Sequence, residues 1–174
     1  MSLLLDLSRL RTGTEHVDRR LDPSAFADAA EDFRVVSPVE FTAEVRRDGQ
    51  RIRAIGRVRA TLECPCSRCL EAFTTSVDAP FDAFFLPASA NAGGGERQVD
   101  DEDLGVSFYA NDTIDLGEII REQFYLALPM KPLCREDCQG LCPVCGINRN
   151  RETCSCQPIW VDPRLEPLKR LKTH

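Results

Sequence analysis

A chain of 174 residues has the length of one ordinary domain, or of one domain with a small appendage. Its 43% hydrophobic content supports a packed core and excludes general disorder. A formal net charge of -6 argues against non-specific nucleic-acid binding by the molecule as a whole. That charge is uneven. Residues 1–130 hold 14 Lys and Arg against 23 Asp and Glu, whereas residues 131–174 hold 8 against 5, so an acidic body carries a basic, cysteine-rich tail.

The opening MSLLLDLSRLR has three consecutive leucines before Asp6 and Arg9, too few for a signal-peptide apolar segment or a spanning helix. No later stretch is apolar enough to span a bilayer. The expectation is a cytoplasmic protein with no membrane partner, where disulfides do not persist and cysteine pairs read as metal ligands. The odd total of nine cysteines points the same way, because full disulfide pairing would leave one over.

Residues 1–32 are weakly patterned. Leu3, Leu5 and Leu7 alternate as an edge strand would, and residues 24–33 read as a short helix. His16 lies in a polar stretch and His174 is the only other histidine, which leaves little for a histidine-based catalytic site.

Residues 33–62 carry the cleanest signal, two alternating runs around Asp48-Gly49, a preferred hairpin dipeptide. Pairing Arg47 with Gln50 sets Val39, Phe41, Ala43 and Val45 opposite Val58, Gly56, Ala54 and Ile52 on the core face. On the other face this register puts Glu44 across from Arg53 and Glu40 across from Arg57 as ion pairs. Arg46, Arg47, Arg51 and Arg59 are left unpaired, either as a solvated face or as a phosphate-contacting patch.

Residues 73–77 and 81–86 read as two further strands, punctuated by Pro80 and Pro87. Residues 88–103 read as a mobile loop, glycine-rich and then acidic, and 106–109 as a short strand. In DLGEIIREQFYLALP, Asp115 and Glu118 form a capping-box variant with Asp115 as N-cap, and Leu116, Ile119, Ile120, Phe124, Ala127 and Leu128 follow a helical period up to Pro129. Capping accounts for these carboxylates without a catalytic role. A last short helix starts at Asp162, with Pro163 at its first position.

Eight of the nine cysteines fall into close pairs. Cys142-Pro143-Val144-Cys145-Gly146 is a tight turn of the kind that offers two thiolates to zinc, and Cys154 and Cys156 supply a second pair after eight residues. Only three residues separate Cys138 from Cys142, so Cys134 and Cys138 are expected to reach back to Cys66 and Cys69 instead. Two four-cysteine sites result. Cys64 is the spare, although Cys64 and Cys66 could exchange roles. Four thiolates leave no open coordination position, which points to one or two structural Zn2+ ions rather than a catalytic one.

Three blocks in order, TLECPCSRCLEAF, IDLGEIIREQFYLALPMKPLC and CQGLCPVCGINRNRETCSC, resemble the bacterial YceD family, named for accumulation of large-subunit ribosomal RNA. The resemblance covers roughly residues 35–172. It implies a non-enzymatic cytosolic factor in large ribosomal subunit biogenesis, of a kind typically encoded beside a large-subunit ribosomal protein gene. The present chain departs from the pattern in the additional Cys64-Pro65 ahead of the first cysteine pair.

The combined expectation is an α+β protein. A largely antiparallel β-sheet or partly closed barrel (1–110) is covered by a helix (111–130) and followed by a small C-terminal zinc-binding segment (131–174). The expected partner is ribosomal RNA or a large-subunit ribosomal protein, with no small-molecule substrate. Candidate RNA contacts are Arg46, Arg47, Arg51, Arg149, Arg151, Lys169 and Arg170. A zinc-based protein–protein adaptor and a redox-regulated zinc chaperone are the alternatives.

Overall fold

The computed structural model describes residues 3–10, 13–27, 32–91, 106–157 and 164. Its backbone is a hairpin of β4 (Val39–Asp48) and β5 (Arg51–Pro65). Val39, Phe41, Ala43 and Val45 on one strand, and Ile52, Ala54, Val58, Ala60, Leu62 and Cys64 on the other, are buried on one face. The period of two in the sequence therefore becomes a one-sided core.

The register differs from the expected one by two residues. Asp48 pairs with Arg51, Phe41 with Val58 and Ala43 with Gly56. The turn residues are thus Gly49 and Gln50, with Gly49 at φ +59°. A turn with glycine at its first central position is of the II′ kind, which suits the twist of the flanking strands. A shift of two keeps every side chain on its face but changes the partners. Glu44 lies opposite Ile55 and Glu40 opposite Arg59. Arg53 instead pairs with Asp82 at 2.6 Å, and Arg57 and Arg59 both pair with Asp78 at 2.7 and 3.2 Å. These carboxylates come from β6 (Ala72–Pro87), the strand on the other side of β5.

β6 is one strand of 16 residues, not two. Pro80 sits within it opposite Arg57, where among the described residues β6 is an edge strand, the position in a sheet that tolerates a residue without an N–H. Phe81 crosses over Gly56 and stacks on Phe41 at 5.4 Å between ring centroids. A β-carbon on Gly56 would lie 2.1 Å from the Thr42 carbonyl oxygen and 2.8 Å from Phe81. Glycine is what lets these strands and rings close up.

Two edge elements complete the sheet. β2 (Gly13–Leu21) pairs antiparallel with β4, and β3 (Arg34–Val35) extends the β4 side of β5. β2 is weakly patterned because Glu15 and Arg19 alternate with Val17 and Leu21 on its inner face. At the opposite edge β7 (Val106–Tyr109) runs parallel to the end of β6, and Tyr109 donates its hydroxyl to the Gln50 carbonyl at 3.0 Å. The strand order is β2-β4-β5-β6-β7 and the sheet is open rather than a barrel. The N-terminal β1 (Leu4–Asp6) lies outside this sheet and pairs with β8 (Thr113–Asp115) in a separate two-stranded one.

Helix α1 (Leu116–Ala127) starts where expected, with Asp115 accepting from the Gly117 N–H at 2.7 Å. It buries Leu116, Ile119, Ile120 and Phe124. Phe124 meets Phe26 and Phe33 edge-on at 6.2 and 5.8 Å. Of the helix expected over 24–33, the described residues hold one 3-10 turn, Pro23–Phe26, capped by Asp22. Residues 28–31 lie outside the described residues, as do most of the expected mobile loop (92–103) and the expected C-terminal helix. No helix among the described residues is long and apolar enough to cross a membrane.

Candidate metal centres

β5 and β6 are joined by the turn that carries Cys66-Ser67-Arg68-Cys69. Its ends are closed by Cys66 N–H to the Glu71 carbonyl and Leu70 N–H to the Cys66 carbonyl, both 2.9 Å. Leu70 pays for this geometry with a φ of +62°, a region where a branched side chain is strained. The chain leaving α1 then runs along the same turn. Ser67 N–H donates to the Pro132 carbonyl at 2.8 Å, and Arg68 Nη1 donates to the carbonyls of Glu136 and Cys138 at 3.2 and 2.8 Å. Leu141 N–H donates to the Arg68 carbonyl at 3.1 Å. Gly140 is required beside it, since at φ +69° a β-carbon would lie 2.9 Å from that carbonyl oxygen.

This docking brings Cys134 and Cys138 to Cys66 and Cys69, with all four sulfurs within 4.8 Å of one another. Cys66 Sγ to Cys138 Sγ and Cys69 Sγ to Cys134 Sγ are each 3.8 Å. A tetrahedron with Zn–S bonds of about 2.3 Å has edges of about 3.8 Å. Cys66, Cys69 and Cys138 are buried, and Cys134 is exposed.

The second group is Cys142, Cys145, Cys154 and Cys156, also within 4.8 Å. Its frame is a small hairpin in which Leu141 bridges Asn148, Cys142 N–H donates to the Ile147 carbonyl and Gly146 N–H to the Cys142 carbonyl, the last two at 2.9 Å. Gly146 takes φ +75° to turn the backbone around the sulfurs. Here Cys145 and Cys156 are exposed, so this distal quartet is more open than the proximal one. All nine cysteines are free thiols, and Cys64 lies buried in the main core outside both quartets.

The electrostatics suit a cation. Burial acts to raise the Cys66 thiol, but N–H groups of Cys134, Cys69 and Arg68 aimed at its sulfur bring it down to about 6. Cys142 is held at about 6 by the N–H groups of Cys145 and Val144. Cys134, exposed as a residue, is pushed up to about 12 by desolvation of its thiol and by hydrogen bonding with Cys66 and Cys138, and Cys156 to about 12 by hydrogen bonding with Cys145 together with thiol desolvation. Four sulfurs this close cannot all ionise alone; a divalent cation among them lets them do so. The donor set and its spacing fit zinc.

A side chain with no mark in the sequence completes the proximal site. Asn150 Nδ2 donates to Cys138 Sγ at 3.3 Å, while its Oδ1 accepts from the Gln139 N–H at 2.8 Å and from Arg135 Nη2 at 2.7 Å. Asparagines in INRNRE read simply as turn formers, so only the folded arrangement reveals this role.

The candidate RNA contacts divide. Arg46 is exposed and ion-paired with Glu44 on its own strand. Arg47 is three-quarters buried, donating to the Leu7 and Leu10 carbonyls at 3.3 and 3.4 Å and facing Asp112 at 3.7 Å, so it holds the N-terminal segment to the body. Arg51 is exposed with its guanidinium carbon 4.6 Å from the Phe84 ring centroid. Arg149 is exposed, and Arg151 pairs with Glu71 at 2.7 Å. Lys169 and Arg170 lie outside the described residues. Arg46 and Arg51 stand at one end of β5 and the tail arginines at the other. A 15-residue strand spans on the order of 45 Å, so the structure does not bring the two groups together.

The fold and the sites define a small α+β protein built on an open sheet, with two four-cysteine clusters grouped at one end. Residues 55–172 match the YceD family, described as "Large ribosomal RNA subunit accumulation protein YceD", and the chain belongs to that family. It is 28% identical over 156 residues to a protein of Zea mays named "Large ribosomal RNA subunit accumulation protein YCED homolog 1, chloroplastic", covering 76% of this chain and 53% of that one. An uncharacterized protein of Mycobacterium leprae is 32% identical over 113 residues, 64% of this chain and 49% of its own length. An uncharacterized protein of Bacillus subtilis is 28% identical over 141 residues, 80% of this chain and 77% of its own. The chain spans about half the length of the first two. No solved structure matches.

Proposed function

We propose that this protein is a non-enzymatic factor in large ribosomal subunit biogenesis, acting in the cytoplasm on ribosomal RNA accumulation. Structural zinc in its two cysteine quartets presents the basic tail to ribosomal RNA. Membership of the YceD family supports the process. The observation that carries the mechanism is the pair of quartets, Cys66, Cys69, Cys134 and Cys138 beside Cys142, Cys145, Cys154 and Cys156. Bound zinc supplies a cross-link between distant segments, joining the β5–β6 turn to the segment that follows α1. Arg149, with Lys169 and Arg170 further along, is the primary phosphate contact; Arg151, already paired with Glu71, and Arg46 and Arg51 at the hairpin end are secondary.

Metal analysis of the purified chain should return two zinc ions. Crosslinking in cells, followed by sequencing of bound RNA, should recover large-subunit ribosomal RNA from the wild type and much less from Cys142→Ser. One zinc per chain, or equal recovery from the variant, would remove this reading.

A second reading, a zinc-based adaptor for a basic ribosomal protein, draws on the acidic body and on an apolar cleft. Leu70, Tyr125 and Met130 are exposed and line a 420 Å³ cleft beside Cys66. Crosslinking that recovers a ribosomal protein and no ribosomal RNA would favour it.

A further inference from the structure

The distal quartet closes over residues 146–153, and this loop makes all of the Asn150 contacts to the proximal segment. From within it, one side chain reaches Arg135, Cys138 and Gln139 at 2.7, 3.3 and 2.8 Å. The loop in turn holds Asn150 in place. Asn148 Oδ1 accepts from both the backbone N–H and the Nδ2 of Asn150, at 3.0 and 2.8 Å. The Asn148 carbonyl accepts from the N–H groups of Arg151 and Glu152, both at 3.0 Å, just before Cys154. Arg149 N–H donates to the Gly140 carbonyl at 2.9 Å, pinning the loop to the three-residue connector between Cys138 and Cys142.

From this geometry, and resting on the zinc reading above, we infer that the two quartets bind metal cooperatively, with Asn150 as the positioning residue that couples them. Filling the distal quartet fixes the 146–153 turn. The fixed turn places an N–H donor on the Cys138 sulfur and an acceptor on the turn that presents Cys134 and Cys138. An emptied distal quartet releases this loop, because its closing ligands Cys154 and Cys156 follow directly. Proximal affinity then falls. Outer-shell hydrogen bonds of this kind are worth about 10–100-fold in metal affinity. Linkage makes the effect reciprocal, so proximal zinc strengthens the distal site by the same factor.

The test is a double-mutant cycle on the full chain, with zinc affinity read by competition against a chromophoric chelator and site geometry by the thiolate-to-metal bands of the cobalt-substituted protein. Cys145→Ser with Cys156→Ser removes the distal site at two exposed positions. It should weaken the proximal site by about 10–100-fold. Asn150→Ala alone should weaken the proximal site similarly and shift its cobalt bands, but should have little further effect in the distal-dead background. Asn150→Asp keeps the acceptor but replaces the N–H donor with a carboxylate facing sulfur, so it should weaken the site at least as much as alanine. A role in packing alone predicts Asn150→Asp to be near wild type, and that result would overturn the inference. So would equal proximal affinity with and without the distal site. A wild-type chain holding fewer than two zinc ions is a different failure, which sinks the zinc reading itself.

Discussion

Gly56 concentrates several demands in one residue. Its β4 neighbours are packed so closely that an added methyl group would meet the Thr42 carbonyl at 2.1 Å and the Ala43 α-carbon at 2.8 Å, both backbone atoms that cannot swing aside. Gly56→Ala must therefore part β4 from β5 or displace Phe81 from Phe41. Overpacking of this sort costs about 1–3 kcal/mol, readable as a lowered midpoint in urea. The acidic partners across the outer face behave differently. Hydrogen bonds from Arg57 hold the Asp78 carboxyl below 3.8, and Arg53 does the same for Asp82. A depressed folded-state pKa contributes stability that is present above the unfolded value and is lost as the pH falls through the folded one. Stability should thus decline as the pH falls through and below the unfolded carboxylate value of about 4, and Asp82→Asn should make that decline shallower. An unchanged acid limb in thermal melts of the variant would show that the pair is inert.

At the scale of elements, α1 is legible in the sequence and β2 is not, for opposite reasons. A helix declares itself through a local period and a local cap, both contained in residues 115–128. β2 depends on β4 for its existence, and Glu15 and Arg19 on its inner face break the alternation that would have announced it. The hairpin shows the boundary between the two cases. Its faces follow from the period of two, but its register depends on the choice between Asp48-Gly49 and Gly49-Gln50 as turn residues, which the dipeptide preference alone misassigns. The ion pairs failed with the register, since their true partners Asp78 and Asp82 lie on a strand 20 and more residues away. The cysteine groupings fared better because close pairs travel as units, and three residues between Cys138 and Cys142 leave few arrangements. For α1 itself, Phe124 is fully buried between Phe26 and Phe33, whereas Tyr125 is half exposed. Phe124→Ala should cost about 3–5 kcal/mol in chemical denaturation. Tyr125→Ala should cost far less, and equal losses would mean that the helix is not docked by its Phe124 face.

At the scale of the whole molecule, the described candidate arginines separate along β5. One end carries Arg46 and Arg51 within an acidic body, where Glu44 already pairs with Arg46 and Phe84 lies under Arg51. The other end carries both quartets, with Arg149 exposed on the distal loop. A flexible RNA strand could reach both ends, but counterion release counts only arginines that are free to neutralise phosphate. Arg149 meets that condition best among the described candidates; Arg46 does not, because phosphate would have to displace a carboxylate first. Binding of the crosslinked large-subunit RNA fragment, measured by fluorescence anisotropy over a salt series, separates the two ends. Arg149→Ala should weaken binding and reduce the slope of log affinity against log salt by about 1, while Arg46→Ala should leave the slope unchanged. The reverse pattern would move the RNA-binding surface to the hairpin end, roughly the full length of β5 away from the cysteine quartets, and would leave zinc to hold the fold without presenting the contact.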